Sequence, residues 1–317
     1  MDLDLELRAL SRDRRSGSAV LAGRALDLLA RAAGHPAAAL ALPALVRRLS
    51  LLRPVLAAIG VQSRRWLEEV CRGLDADPEA LRGGRPLPAR SAARMRRAGE
   101  TARARLLREL KAAATARRRA FAELARPGMT LLTLSASSQV EELLRVAPAG
   151  CRLLLAESLP GGEGRVLAAR LRADGLDAIP IRDGELANAA READLALLGA
   201  DAVLQPALLR RVSGPGSSRE GELSRPGLWG VNKVGSTLLL AAAREAGLSV
   251  LLALGREKCS GDPVEPFIRG SAWDRRAFEA FPLGRISHLL GDEGQVGRDW
   301  LARQVGEDRR RWHLFMI

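Results

Sequence analysis

Residues 130–173 read TLLTLSASSQVEELLRVAPAGCRLLLAESLPGGEGRVLAARLRA, and this stretch decides the fold. A short apolar run at 130–134 gives way to a helical pattern over 139–146, then to a second apolar run at 152–156 and a second helical pattern over 164–173. Short apolar runs alternating with helical stretches are the mark of βαβ units and a mostly parallel sheet. The alternation continues downstream, with strands expected at 178–181, 195–198, 250–254 and 286–290 and helices at 185–193 and 233–246. Right-handed crossovers turn this order into a doubly wound, Rossmann-like α/β sheet, whose ligands lie beyond the C-terminal ends of the strands.

Upstream of Pro127-Gly128 the texture changes. Apolar residues recur at spacings of three and four, as at Leu26, Leu29 and Ala32, and no alternating strand pattern appears. The last element of this half, 92–124, is rich in Ala, Leu, Arg and Glu, and Pro127-Gly128 stops it. The 317 residues therefore divide into an N-terminal helical bundle, 1–127, and a Rossmann-like α/β half, 128–317, at whose strand ends a ligand is expected.

The charge divides along the same line. The first half carries 26 basic and 13 acidic residues and the second 24 of each, so the whole excess of +13 is N-terminal. Such asymmetry marks a surface for an acidic partner, or a solvated helical face in a chain biased towards arginine. With five tryptophans, five phenylalanines and no tyrosine, the chain offers few stacking platforms, which disfavours nucleic acid. Three scattered cysteines, Cys71, Cys151 and Cys259, and three scattered histidines give neither CxxC nor HExxH spacing, so no metal or other cofactor is expected. The longest uncharged stretch near the start, 32–46, is 15 residues long with two prolines, too short to span lipid. No leader-like pattern opens the sequence, and a cytoplasmic protein is expected.

Four segments carry the candidate chemistry. After the first strand, Ser138 and Glu141 have capping-box spacing at the start of a helix. After the second, Pro160-Gly161-Gly162-Glu163-Gly164 lacks the GxGxxG spacing of a dinucleotide loop and places an acid among its glycines. Asp201, in Leu197-Leu198-Gly199-Ala200-Asp201, stands at the end of an apolar strand, where burial suits a carboxyl to proton transfer. Asn232-Lys233 is expected to open a helix and could hold a phosphate or sugar hydroxyl there; simple capping explains an Asn at that place equally well. The polar stretch 210–226 reads as a loop at the ligand edge, a lid or an inert insertion.

Taken in order, LLTLSASSQVEELL (131–144), AESLPGGEGRVLAARL (156–171), LLGADAVL (197–204) and GVNKVGSTLLLAAA (230–243) resemble one family. It comprises the α, β and δ subunits of translation initiation factor 2B, methylthioribose-1-phosphate isomerase and ribose-1,5-bisphosphate isomerase. In its isomerases a cysteine after the first strand and the aspartate of the Gly-Ala-Asp motif move a proton between C1 and C2 of an open sugar phosphate. Here Asp201 matches the aspartate, but Ser135 stands at the cysteine and Leu134 at the histidine usually before it. A hydroxyl is a far weaker acid than a thiol and needs an adjacent base. Leu159 replaces a common arginine, and 210–226 lengthens the passage to Asn-Lys.

The resemblance implies first a non-catalytic regulatory protein that binds a phosphorylated sugar or nucleoside monophosphate. Its alternative is an aldose-ketose isomerase acting on a sugar 1-phosphate, with Asp201 and Ser135 catalytic; a basic adaptor without a small ligand comes third. Ligand-binding residues would be Arg53 in the matching Leu52-Arg53-Pro54, Ser137, Ser138, Arg165, Asn232 and Lys233. A homodimer through the α/β half is implied as well, with an acidic protein partner for the N-terminal half.

Overall fold

The computed structural model describes residues 2–14, 16–39, 41–79, 91–205, 227–262 and 272–316. The N-terminal half is helical: α1 (Leu3–Arg12), α2 (Ser18–Ala33), α3 (Pro36–Ala39), α4 (Leu42–Leu52), α5 (Ala57–Leu74) and α6 (Ala92–Leu124). Pro127-Gly128 falls in the turn out of α6, with Gly128 at φ 79°.

The α/β half begins with β1 (Thr130–Leu134), α7 (Ser138–Leu144), β2 (Arg152–Ala156), α8 (Glu163–Ala173) and β3 (Asp177–Ile181). It continues through α9 (Leu186–Glu192), β4 (Leu195–Gly199), β5 (Ala202–Leu204), β6 (Trp229–Lys233), α10 (Ser236–Ala246) and β7 (Val250–Ala253). Last come α11 (Ala272–Ala277), β8 (Phe278–Pro282), β9 (His288–Gly291), β10 (Gly294–Gln295) and α12 (Arg298–Met316). The main sheet has the order β10-β9-β7-β4-β1-β2-β3, parallel except for the short β10. All five residues of β1 and of β4 are buried, as central strands covered on both faces require. The edge strand β3 is half exposed and tolerates Pro180. From β1 the chain winds outward through β2 and β3, then returns to the other side of β1 with β4, so the winding reverses between the C-terminal ends of β1 and β4. That crevice is where such sheets take ligands.

Three elements differ from the sequence expectation. Residues 229–233 form a strand, not the first turn of a helix, because they pair antiparallel with β5 and β8 in a second, three-stranded sheet. Gly230 makes this possible, since a Cβ there would lie 2.4 Å from the Phe281 ring. Helix α10 starts only after Gly235, whose φ of 104° suits glycine. The cap of α7 is Ser137, one residue before the expected Ser138: Ser137 is extended and its Oγ accepts from Val140 N at 3.4 Å. The second sheet and α12 were not foreseen. Ala202, Leu204, Trp229, Val231, Phe278 and Phe315 join the core of the N-terminal helices, so that half is completed by residues far along the chain. The 210–226 stretch lies outside the described residues.

Candidate functional site

Two strand ends build the floor of the crevice. Beyond β1, Ser135 takes a left-handed conformation at φ 63°, uncommon outside glycine and a form of local strain concentrated at functional turns. Beyond β4, Gly199 lets the two ends close together, because a Cβ there would sit 2.3 Å from Ser137 Oγ. Ser135, Ser137, Ser138 and Asp201 thereby share one small cavity of about 60 Å³.

Other segments form its walls. The α1–α2 turn contributes Arg14, Ser16 and Ser18, the end of α4 contributes Arg53, the end of β6 contributes Asn232 and Lys233, and the turn after β7 contributes Lys258. Ser18 Oγ donates to Asp201 Oδ1 at 2.9 Å. Lys258 donates to the same Ser18 hydroxyl, and its Nζ lies 3.7 Å from Asp201 Oδ1. A buried ammonium, a hydroxyl and a carboxylate thus form one chain, with Lys258 only 3% exposed.

The remaining cations are held differently. Lys233 Nζ lies 2.9 Å from Glu163 Oε1 and 4.6 Å from the centre of the Phe278 ring. Asn232 Nδ2 donates to Ser236 Oγ at 3.0 Å, fixing the end of β6 to the first turn of α10. Arg53 is buried; it donates to Asp13 O at 2.7 Å and to Asp274 Oδ1 at 3.1 Å, and its Nε has no partner. Burial pulls the Arg53 guanidinium below its ordinary value, opposed by the Asp274 carboxylate. Arg14 stands exposed at the rim, donating to Ser11 O at 2.8 Å, with no carboxylate partner among the described residues. Arg14, Arg53, Lys233 and Lys258 against Asp201, with five serine hydroxyls, is a donor-rich lining suited to an anion that also carries hydroxyl groups.

Of the residues singled out from sequence, Arg53, Ser135, Ser137, Ser138, Asp201, Asn232 and Lys233 converge on this cavity. Arg165 does not. Its neighbour Gly164 packs so tightly on β2 that a Cβ would lie 1.8 Å from Ala156 O, and the Arg165 side chain turns outward to pair with Glu157 at 2.7 Å. Sequence reasoning missed Lys258 and Ser18. One signal was available: the chain has three lysines, and two of them line the cavity.

The acid-base question turns on Ser135. Its hydroxyl has no hydrogen-bond partner among the described residues, so nothing there acts as the base an alcohol needs. Cys259 adjoins Lys258, but complete burial holds its thiol well above the ordinary value, with Glu257 adding to the rise. Cys71 is pushed up to about 12, chiefly by burial. Neither thiol is placed to replace the missing one.

A Rossmann-like sheet whose switch-point cavity is walled by an N-terminal helical half defines the structural class. Within that class, residues 53–215 match the model of the initiation factor 2 subunit family, just over half of the chain, and the protein belongs to that family. The structure is similar to that of Pyrococcus horikoshii OT3 translation initiation factor eIF-2B, at 20% identity over 93% of this chain and 96% of that one, with a TM-score of 0.68. It is similar also to a chain of the tetrameric eIF2B-beta2-delta2 complex from C. thermophilum, at 20% identity over 96% and 94%, with a TM-score of 0.70. The delta subunit of translation initiation factor eIF-2B from A. fulgidus gives 14% identity over 96% and 91%, with a TM-score of 0.59. At such identities the likeness is one of fold. No curated protein matches the sequence. No helix among the described residues is long and apolar enough to cross a membrane.

Proposed function

We propose that this family member is a non-catalytic binding protein for a small phosphorylated sugar or nucleoside monophosphate, working in the cytoplasm. The observation that carries the reading is the convergence of Arg14, Arg53, Lys233 and Lys258 on one cavity at the sheet's switch point. Guanidinium and ammonium groups suit a phosphate, and the side chains of Asp201 and Asn232 suit sugar hydroxyls. Serine at position 135 without a base favours binding over turnover.

The test is thermal unfolding with ribose 5-phosphate, methylthioribose 1-phosphate and a set of nucleoside monophosphates, beside the double variant Asn232→Ala, Lys233→Ala. A ligand at 100 times its Kd adds about 2.7 kcal/mol, a readily seen midpoint shift. The expected result is a shift with one compound that the double variant loses. No shift with any of them overturns the reading and leaves the adaptor role.

The Lys258-Ser18-Asp201 chain favours one alternative, an aldose-ketose isomerase on a sugar 1-phosphate in which Asp201 and Lys258 exchange protons with the substrate. Turnover of a bound sugar phosphate that Asp201→Asn abolishes without loss of binding would establish it. The tetrameric assembly of the C. thermophilum complex supports self-association of this chain, as a homodimer through the α/β half. Sedimentation at micromolar concentration checks this, and a monomer throughout would refute it.

A further inference from the structure

The long helix α6 has two unlike faces. Met95, Ala98, Ala102, Leu106, Ala113 and Phe121 are buried against the rest of the molecule. On the opposite face Arg97, Arg108, Lys111 and Arg119 are exposed and, among the described residues, have no carboxylate partner. Two basic residues on its flank are spoken for: Arg103 pairs with Asp27, and Arg105 with Glu69 and Glu109. At 3.6 residues per turn, Arg97, Arg108, Lys111 and Arg119 fall within about 40° of a single line, with the small Ala104 and Thr115 between them. The N-terminal end of this line opens into a groove of about 550 Å³ between α5 and α6, walled by Arg72, Arg94 and Arg97. Glu69 in that groove is already held by Arg72 and Arg105, at 2.5 and 2.9 Å, and leaves the other guanidiniums without an opposing charge.

We propose that this line is the docking surface for an extended acidic segment of a partner protein. Its chemistry is purely electrostatic, because the exposed strip carries no large apolar side chain to anchor a folded interface. Its width favours a peptide over nucleic acid. Glu100 and Glu123 flank the strip, and a duplex broader than the helix would press its phosphates onto them. Single strands lack a stacking partner, since the aromatic of this helix, Phe121, is buried. From Arg94 to Arg119 the line runs about 38 Å at 1.5 Å per residue, which an extended chain of about 12 residues covers.

The experiment uses the full chain and fluorescence anisotropy at low salt, with a labelled peptide of about 12 residues rich in glutamate, its glutamine counterpart and an RNA duplex. The variant is the triple Arg108→Ala, Lys111→Ala, Arg119→Ala, whose exposed positions leave the melting midpoint unchanged. The acidic peptide should bind, the glutamine peptide should not, and the triple variant should weaken binding by about tenfold, as loss of several exposed ion pairs implies. Equal binding by the triple variant overturns the proposal. So does absence of binding to the acidic peptide, or tighter binding of the duplex, which would make this a nucleic-acid surface. The cavity plays no part in this test, so either site can fail without the other.

Discussion

Two buried arginines tie the N-terminal helices to the end of the chain, and they are held in different ways. Arg64 on α5 grips Asp308 on α12 with two donors, Nε to Oδ1 at 3.1 Å and a terminal nitrogen to Oδ2 at 2.5 Å. Gly261 N donates to the same carboxylate at 2.9 Å, and the guanidinium lies 4.9 Å from the centre of the Trp312 ring. Arg53 makes a single bond to Asp274, turns another nitrogen to a backbone carbonyl and keeps an unmatched Nε beside the cavity. An arginine gripped through two nitrogens by both oxygens of one buried carboxylate is a fastening. One that lines a cavity with its buried Nε unmatched still has a donor to offer.

The comparison breaks most sharply at Asp308. Asp308→Ala leaves a buried guanidinium without its partner and should lower stability by about 3–5 kcal/mol in urea unfolding, while ligand affinity of the folded protein stays as it was. A loss below 1 kcal/mol would show that Arg64 is no fastening. Arg53→Met should act the other way round: the ligand increment, about 2.7 kcal/mol at 100 times Kd, disappears. An increment of full size in that variant would place the ligand elsewhere.

Gly199→Ala sharpens the same contrast at the cavity floor. The added methyl meets Ser137 Oγ, and overpacking of this kind lowers stability by about 1–3 kcal/mol. Ligand affinity should fall with it, because the 135–138 turn must shift; unchanged affinity would remove that turn from the site.

The smallest effect concerns pH. Burial pushes the Glu257 carboxyl above its ordinary 4.5, with Asp292 adding to the rise and Lys258 and Arg117 opposing it. Between the ordinary and the raised value only the folded chain holds the proton, so stability falls as pH rises through that window. Glu257→Gln removes this titration. Urea midpoints should show the variant gaining on the unmodified chain as pH rises above 4.5, and a gap independent of pH would contradict the assignment.

Much of this was legible in the sequence, for physical reasons that can be named. Strands such as β1 and β4 are short apolar runs because both faces are covered, and six of them were placed within about two residues. The small sheet was hidden because Trp229, Gly230 and Val231 carry no period of their own, and pairing with Phe281 and Ala280 decides their state. The lining of the cavity was legible where a strand end fixes a residue, as for Ser135 and Asp201. Lys258 and Ser18 were not, because they are 240 positions apart and only packing brings the α1–α2 turn over the end of β7. Arg165 misled because sequence cannot show which way an exposed helix face turns.

On the proposed reading the cavity binds a phosphate group through Arg53 and Lys258. Phosphorus NMR of inorganic phosphate, titrated with the unmodified chain and with Lys258→Ala and Arg53→Met, tests it directly. The account predicts line broadening by the unmodified chain that both variants lose while they remain folded. Equal broadening by all three chains, or none by the unmodified one, would contradict it.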